Sequence, residues 1–138
     1  MPFWGSCLCG TVRFSSDATG DITALCHCVD CQKWTGGAFT SNVVIPRVSF
    51  KVTAGKATYY DTPGESGKNN RHFFCSTCGS SLYTELDIMP DKTVIKAGTL
   101  DKGGANLGNK VDIEFYTKDR VSYLTPVDAA KQEPAFGN

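Results

Sequence analysis

The chain has 138 residues, a length that suits one domain able to bury its own hydrophobic core. Its 14 basic and 14 acidic residues balance without any block of like charge, so we expect no binding to nucleic acid or to an anionic membrane surface. The apolar stretches are much shorter than the roughly 20 residues that span a bilayer, and the first residues lack the pattern of a secretory signal. We therefore predict a cytoplasmic protein.

Short strands dominate the elements that we predict in chain order. They are rich in β-branched and aromatic residues, and they lie at 11–14, 22–26, 39–45, 49–53, 57–61, 71–74, 81–86, 93–96 and 111–117. One helical turn is predicted over 29–34, where Gly36 and Gly37 end it.

Two polar loops separate the later strands, one over 62–70 and one over 101–110. The tail after about residue 126 loses its strand character, so we expect it to lie on the surface or to fray. Many short strands with turn residues between them predict one mainly-β domain over 1–138.

The cysteines carry the clearest chemical signal in the chain. There are seven, in three clusters: Cys7 and Cys9; Cys26, Cys28 and Cys31; and Cys75 and Cys78. Thiolates this close together are the ligands that a soft divalent metal prefers. The odd count, the short spacings and the expected reducing compartment all argue against a disulfide framework. Zinc is the metal that fits best, and an iron–sulfur cluster stays open as a minor alternative.

The first and last clusters together offer four sulfur ligands, enough to close a tetrahedral zinc site. Cys75 and Cys78 form a zinc knuckle, because two intervening residues let both sulfurs face one metal. Cys7 and Cys9 would complete the tetrahedron, and a glycine follows each pair, which eases the required bend. A metal shared by these pairs would staple the N-terminal segment to the late strands, so we predict a structural site.

The middle cluster offers only three sulfur ligands, Cys26, Cys28 and Cys31, and so leaves one coordination position open. A zinc ion with three thiolates carries a net charge of about minus one. Such a site suits the binding of a further thiol, which loses its proton on coordination and can attack an aldehyde. Alternatively, His72 is a fourth ligand, in which case the site is closed and structural.

The roles of the residues near the middle cluster can be interpreted in more than one way. We interpret His27 as a packing or supporting residue, because on a strand it would point away from a metal held by its neighbours. Lys33 and Thr35 either orient an anionic substrate or belong to a solvated turn. His72 and Asp30 are weak candidates for acid–base roles.

The cysteine pattern resembles that of the glutathione-dependent formaldehyde-activating enzyme family, which also includes centromere protein V. The similar segments are 5–10, 26–33, 35–36, 71–80 and 118–120, and all seven cysteines agree in position and order. The resemblance implies a β-tent of folded, mostly antiparallel sheets. It also implies a structural zinc held by Cys7, Cys9, Cys75 and Cys78, and a second zinc on Cys26, Cys28 and Cys31 that binds the thiol of glutathione.

Three hypotheses about function follow. The first is a zinc-dependent enzyme of the carbon–sulfur lyase type that joins a small, glutathione-like thiol to an aldehyde, because the resemblance implies formation of S-hydroxymethylglutathione from formaldehyde and glutathione. The second is a non-enzymatic binding module stabilised by zinc. The third is a thiol redox or metal sensor whose middle cluster loses zinc on oxidation.

Overall fold

The structure is a computed structural model that describes residues 3–18 and 22–136. Strands make up most of its regular structure: β1 (Phe3–Ser6), β2 (Arg13–Ser16), β3 (Ile22–Cys26), β4 (Thr40–Pro46), β5 (Phe50–Ala54), β6 (Thr58–Pro63), β7 (Asn69–Phe74), β8 (Ser81–Leu86), β9 (Lys92–Lys96), β10 (Ile113–Phe115) and β11 (Lys131–Gln132). One α-helix, α1 (Val29–Thr35), follows β3. Short 3₁₀ turns lie at Arg47–Ser49, Ala97–Thr99, Gly104–Asn109 and Thr117–Asp119.

The strands form two sheets. The smaller sheet has the order β1-β2-β5 and is antiparallel. The larger sheet has the order β11-β10-β3-β4-β9-β8-β7-β6, and its pairs are antiparallel except that β10 runs parallel to both β3 and β11. The predicted mainly-β fold of antiparallel sheets with one short helix is confirmed. Within the described residues, no helix is long and apolar enough to cross a membrane.

Strand β4 lies near the middle of the large sheet, and both of its faces are covered. Val43 and Ile45 point into the hydrophobic core, where they meet Phe14 of the small sheet and other fully buried side chains. Successive residues of a strand point to opposite faces, so Asn42 and Val44 face the other way. That second face lines a cavity rather than the core.

Aromatic rings join the two sheets across the core. The ring of Phe50 in β5 lies 5.3 Å from that of Phe14 in β2 and 4.5 Å from that of Tyr83 in β8. Gly5 in β1 permits this packing, because a Cβ atom there would lie only 2.4 Å from Phe14 and 2.5 Å from the carbonyl oxygen of Thr99. The small sheet is therefore held closely against one face of the large one.

Two strands were not predicted, and one prediction was too long. The patterns did not indicate β1, which is short and contains a glycine, or β11, which has two residues. The strand predicted over 111–117 is reduced to Ile113–Phe115, because Tyr116 adopts a left-handed conformation and a 3₁₀ turn begins at Thr117. The tail pairs with β10 through β11, and the N–H of Glu133 donates to the carbonyl of Glu114.

A buried carboxylate holds β10 in place. Glu114 is 1% exposed, and its Oε1 lies 2.7 Å from Nε2 of His27, while its Oε2 accepts hydrogen bonds from Val127 N–H and Gln132 Nε2. Burial raises the pKa of Glu114, but the hydrogen bonds to its carboxylate outweigh that effect and hold the pKa below its usual value. These contacts tie the tail to the segment that carries the middle cysteines.

We predict that Glu114→Ala lowers the free energy of unfolding by about 3–5 kcal/mol, because it leaves the buried partners of the carboxylate unpaired. The matched control is Glu85→Ala, which removes a half-buried carboxylate 3.8 Å from Arg47 and should cost less than about 1 kcal/mol. Urea unfolding at fixed zinc concentration measures both values. Equal losses in the two variants would contradict the structural role of Glu114.

Candidate metal centres

The first metal centre joins two turns that are distant in sequence. The sulfur atoms of Cys7, Cys9, Cys75 and Cys78 all lie within 4.8 Å of one another, with 3.6 Å between Cys7 and Cys9 and 3.9 Å between Cys9 and Cys75. A tetrahedral zinc ion with Zn–S bonds of about 2.3 Å requires sulfur atoms about 3.8 Å apart. The donor set and its spacing therefore fit zinc.

Backbone N–H groups point at these sulfur atoms. Thr77 and Cys78 donate to the sulfur of Cys75, as expected for a knuckle, and Val12 donates to that of Cys7. Gly79 closes the knuckle with a φ of 76°, and its N–H donates to the Cys75 carbonyl. Such donors stabilise thiolates, the form that binds a metal.

A serine connects the two turns of this centre. The hydroxyl of Ser80 lies 3.2 Å from the sulfur of Cys78 and accepts a hydrogen bond from the N–H of Leu8. The Ser80 hydroxyl, followed by the backbone N–H groups of Cys9 and Ser80, lowers the pKa of Cys78 to about 5. The turn after β1 and the turn after β7 are thus arranged around one cluster of sulfurs.

The second centre lies where β3 ends and helix α1 begins. The sulfurs of Cys26, Cys28 and Cys31 also lie within 4.8 Å of one another. Cys28 is the N-cap of α1, and its sulfur accepts a hydrogen bond from the N–H of Cys31 at 3.2 Å. Cys31 is buried, and the hydroxyl of Thr40 donates to its sulfur at 3.4 Å. Thiol–thiolate hydrogen bonds with Cys26 and Cys28, and then the charge of Lys96, lower the pKa of Cys31.

His72 does not join the three sulfurs. In the described part of the chain the ligand group at this position consists of cysteines alone. The Nδ1 atom of His72 lies 3.0 Å from the hydroxyl of Thr84, and its ring lies 4.6 Å from that of Trp34. His72 instead lines the cavity next to the cysteines. The alternative in which His72 closes the second centre therefore has no support from the geometry.

The remaining residues considered from the sequence divide between the cavity and the surface. Asp30 lines the cavity, whereas His27 is turned towards Glu114. Lys33 is exposed, and the Thr35 hydroxyl donates to the Cys31 carbonyl inside the helix. Neither Lys33 nor Thr35 is among the described residues that line this cavity, because the turn of α1 directs them elsewhere.

A cavity of about 300 Å³ opens beside the three cysteines. Its floor is the second face of the large sheet, where Asn42 of β4 pairs in register with Lys96 of β9. Helix α1 and the segments around Phe115 and Tyr116 form further parts of its wall. The second centre is therefore open to a molecule that enters the cavity, whereas the first has four sulfurs around it.

Lys96 is the functional candidate that sequence reasoning missed. It is 9% exposed, and its Nζ donates to Oδ1 of Asn42 at 2.7 Å. The amide nitrogen of Asn42 is occupied by Thr40 and by the carbonyl of Ala24, so its oxygen must face the lysine. The available signal is a lysine that follows three β-branched residues, Thr93, Val94 and Ile95, at the end of a predicted strand.

His72 offers a second polar atom inside the cavity. Its Nε2 is buried and has no hydrogen-bond partner among the described residues. Burial lowers the pKa of His72, and the charge of Lys96 lowers it further, so the imidazole is neutral near pH 7. The cavity lining thus combines the three cysteines with the buried nitrogen groups of Lys96 and His72.

The family model for the glutathione-dependent formaldehyde-activating enzyme matches residues 2–119. The chain belongs to this family. The crystal structure of a Rhodobacter sphaeroides protein is similar to the present one, with a TM-score of 0.63 and 19% sequence identity. The match covers 78% of this chain and 96% of that protein. At this level of identity the similarity concerns the fold.

We predict two equivalents of zinc per chain, and one in the variant Cys28→Ser, which should remain folded. Serine is a good N-cap, so the substitution removes a metal ligand without removing the cap of α1. The matched variant Cys78→Ser should lose the other equivalent and unfold at a markedly lower temperature, because it breaks the link between two distant turns. Elemental analysis and thermal unfolding measure these effects. Two equivalents in Cys28→Ser would contradict a site made of Cys26, Cys28 and Cys31.

Proposed function

We propose that this protein joins a small thiol to an aldehyde in a reversible reaction of the carbon–sulfur lyase type. The observation that carries the proposal is the difference between the two clusters: four sulfurs surround one position, and three sulfurs beside a cavity surround the other. A tetrahedral ion on three protein ligands has room for one more. Glutathione and formaldehyde are the substrates that the family name suggests.

The chemistry of the donor set supports this assignment. Three thiolates would hold zinc at the end of a β-strand and the start of a helix, two elements that fix the positions of the sulfurs. When bound there, zinc would act as a Lewis acid that favours the deprotonated form of an added thiol. Cys26, Cys28 and Cys31 would hold the ion, and all three line the cavity from which a thiol would approach it.

Lys96 and His72 would act on the aldehyde. The ammonium of Lys96 can donate a hydrogen bond to the carbonyl oxygen, and the free Nε2 of His72 can provide a second donor. The thiolate electron pair forms the new C–S bond, and the carbonyl π pair moves onto oxygen. That oxygen takes up one proton, which balances the proton released by the thiol.

All seven cysteines are free, which is consistent with a reducing compartment. For this reason a cytoplasmic location is part of the proposal. The proposal also includes a single domain over 1–138 and zinc at both centres.

We predict that Lys96→Met slows adduct formation about 100-fold, because it removes a donor to the developing oxyanion, while thiol affinity changes by less than about threefold. The zinc-loaded protein is studied by calorimetry for thiol binding and by NMR exchange spectroscopy for adduct formation. The control Lys33→Met removes an exposed lysine outside the cavity and should change neither quantity. Cys28→Ser should abolish both.

Two results would contradict the proposal. One is a two-zinc protein that binds none of the thiols offered. The other is a protein that binds thiols but leaves the rate of adduct formation at its uncatalysed value. The second result would favour a binding or sensing role for the middle cluster.

A further inference from the structure

The cavity beside Cys26, Cys28 and Cys31 is large for the smallest aldehyde. Its volume is about 300 Å³, whereas a water molecule has a share of about 30 Å³ in the liquid. Formaldehyde, with two heavy atoms, is only slightly larger than water. The cavity therefore has room for a larger molecule than formaldehyde, and a molecule bound by its sulfur at the cysteines is placed to occupy it.

Hydrocarbon forms much of the cavity wall. Val44 in β4 and Val94 in β9 are directly opposite each other in the sheet, and both side chains face the cavity. Leu86 at the end of β8, with Ile88 and Met89 in the turn that follows, extends this surface. These last three residues are half-buried, so a ligand that covers them removes apolar area from water and gains free energy.

The charges around the cavity are unfavourable for an anionic ligand. Two lysines line it: Lys96 donates to the neutral amide of Asn42 and keeps its charge, whereas the charge of Lys118 is paired with the carboxylate of Glu65 at 2.7 Å. Three carboxylate side chains line it as well, those of Asp30, Glu65 and Asp119.

Glutathione is a poor match for such a lining. It carries two carboxylates and one ammonium group, and its carboxylates would lie among carboxylates of the protein and beside a thiolate cluster that stays negative with zinc bound. Arginine, the residue best suited to bind carboxylates in pairs, is missing from the described lining. The cavity therefore discriminates against the charged tripeptide.

We propose that the thiol substrate of this protein has an uncharged, apolar body, an aliphatic or aromatic thiol whose hydrocarbon part lies against Val44, Val94 and Leu86. This inference rests on the proposed function, because it assumes that the sulfur of the substrate binds at the three cysteines. The thiol would then be an apolar molecule in place of glutathione. Contacts with apolar side chains provide its affinity, and Lys96 and His72 remain available to the aldehyde oxygen.

A homologous series of thiols tests the inference on the zinc-loaded protein. Ethanethiol, 1-butanethiol, 1-hexanethiol and glutathione are titrated by calorimetry. We expect the dissociation constant to fall about three- to fourfold for each added methylene group until the cavity is filled. We also expect glutathione to bind at least tenfold more weakly than 1-butanethiol.

Three outcomes separate the inference from the function on which it rests. A dissociation constant that falls with each added methylene group supports both the inference and the proposed function. Equal affinity along the alkyl series, or tightest binding of glutathione, overturns the inference and leaves the proposed function intact. Absence of binding by every thiol overturns the proposed function, and the inference falls with it.

Cavity variants give a second, independent measurement. Val94→Asn should weaken 1-hexanethiol binding about tenfold and ethanethiol binding by less than threefold, because only the longer chain reaches the wall. The matched control Val48→Asn changes a valine that is 98% exposed and should alter neither affinity. Met89 lies in a turn outside the strands, so Met89→Gln is the cavity variant to measure if Val94→Asn does not fold. An unchanged chain-length dependence in a folded cavity variant would contradict the inference.

Discussion

Repulsion among closely spaced thiolates is the constraint on which the rest of the structure depends. Four sulfurs within 4.8 Å of one another cannot all be deprotonated unless a cation lies between them. The fold brings Cys7 and Cys75 together from distant positions in the sequence and points backbone N–H groups at both sulfurs. A metal held by these four sulfurs would fix the segment between β1 and β2 to the turn between β7 and β8. It would attach the small sheet to the large one in addition to the contacts of the aromatic core.

The second cluster follows the same chemistry but has a different environment. Its sulfurs come from one continuous segment, so it does not join distant parts of the chain. It is held instead against β4, which separates the core from the cavity: Cys26 at the end of β3 pairs with Thr40, and the Thr40 hydroxyl donates to the sulfur of Cys31. One face of that strand packs through Val43 and Ile45, and the other presents Asn42 and Val44. A cluster held against such a strand is rigid, because moving the strand would disturb the core on its opposite side.

The cysteine sites could be predicted from the sequence because their ligands are marked by short spacing. Cys75 and Cys78 sit in a knuckle that local geometry dictates, and the strands over 22–26 and 81–86 coincide with β3 and β8. Family membership, expected from the same cysteines, is confirmed by the match over residues 2–119. These features depend on residues that are close together in the chain, or on clustered cysteines, which few structures other than metal sites require.

The cavity floor could not be predicted, because it depends on which strands are neighbours. Asn42 and Lys96 are 54 residues apart, and they meet only because β4 pairs with β9 in one register. The link between His27 and Glu114 spans 87 residues for the same kind of reason. Lys33 seemed closer to the chemistry than Lys96 because it is near the cysteines in sequence, yet the helix turns it to solvent.

X-ray absorption at the zinc edge tests the central claim most directly, namely that the protein has one open three-sulfur centre and one closed four-sulfur centre. The account predicts about 3.5 sulfur ligands per zinc in the two-zinc protein, the mean of a four-sulfur and a three-sulfur site, rising to about 4 when a thiol is added. A value of 4 before any thiol is added, or a value that does not change on addition, would contradict it.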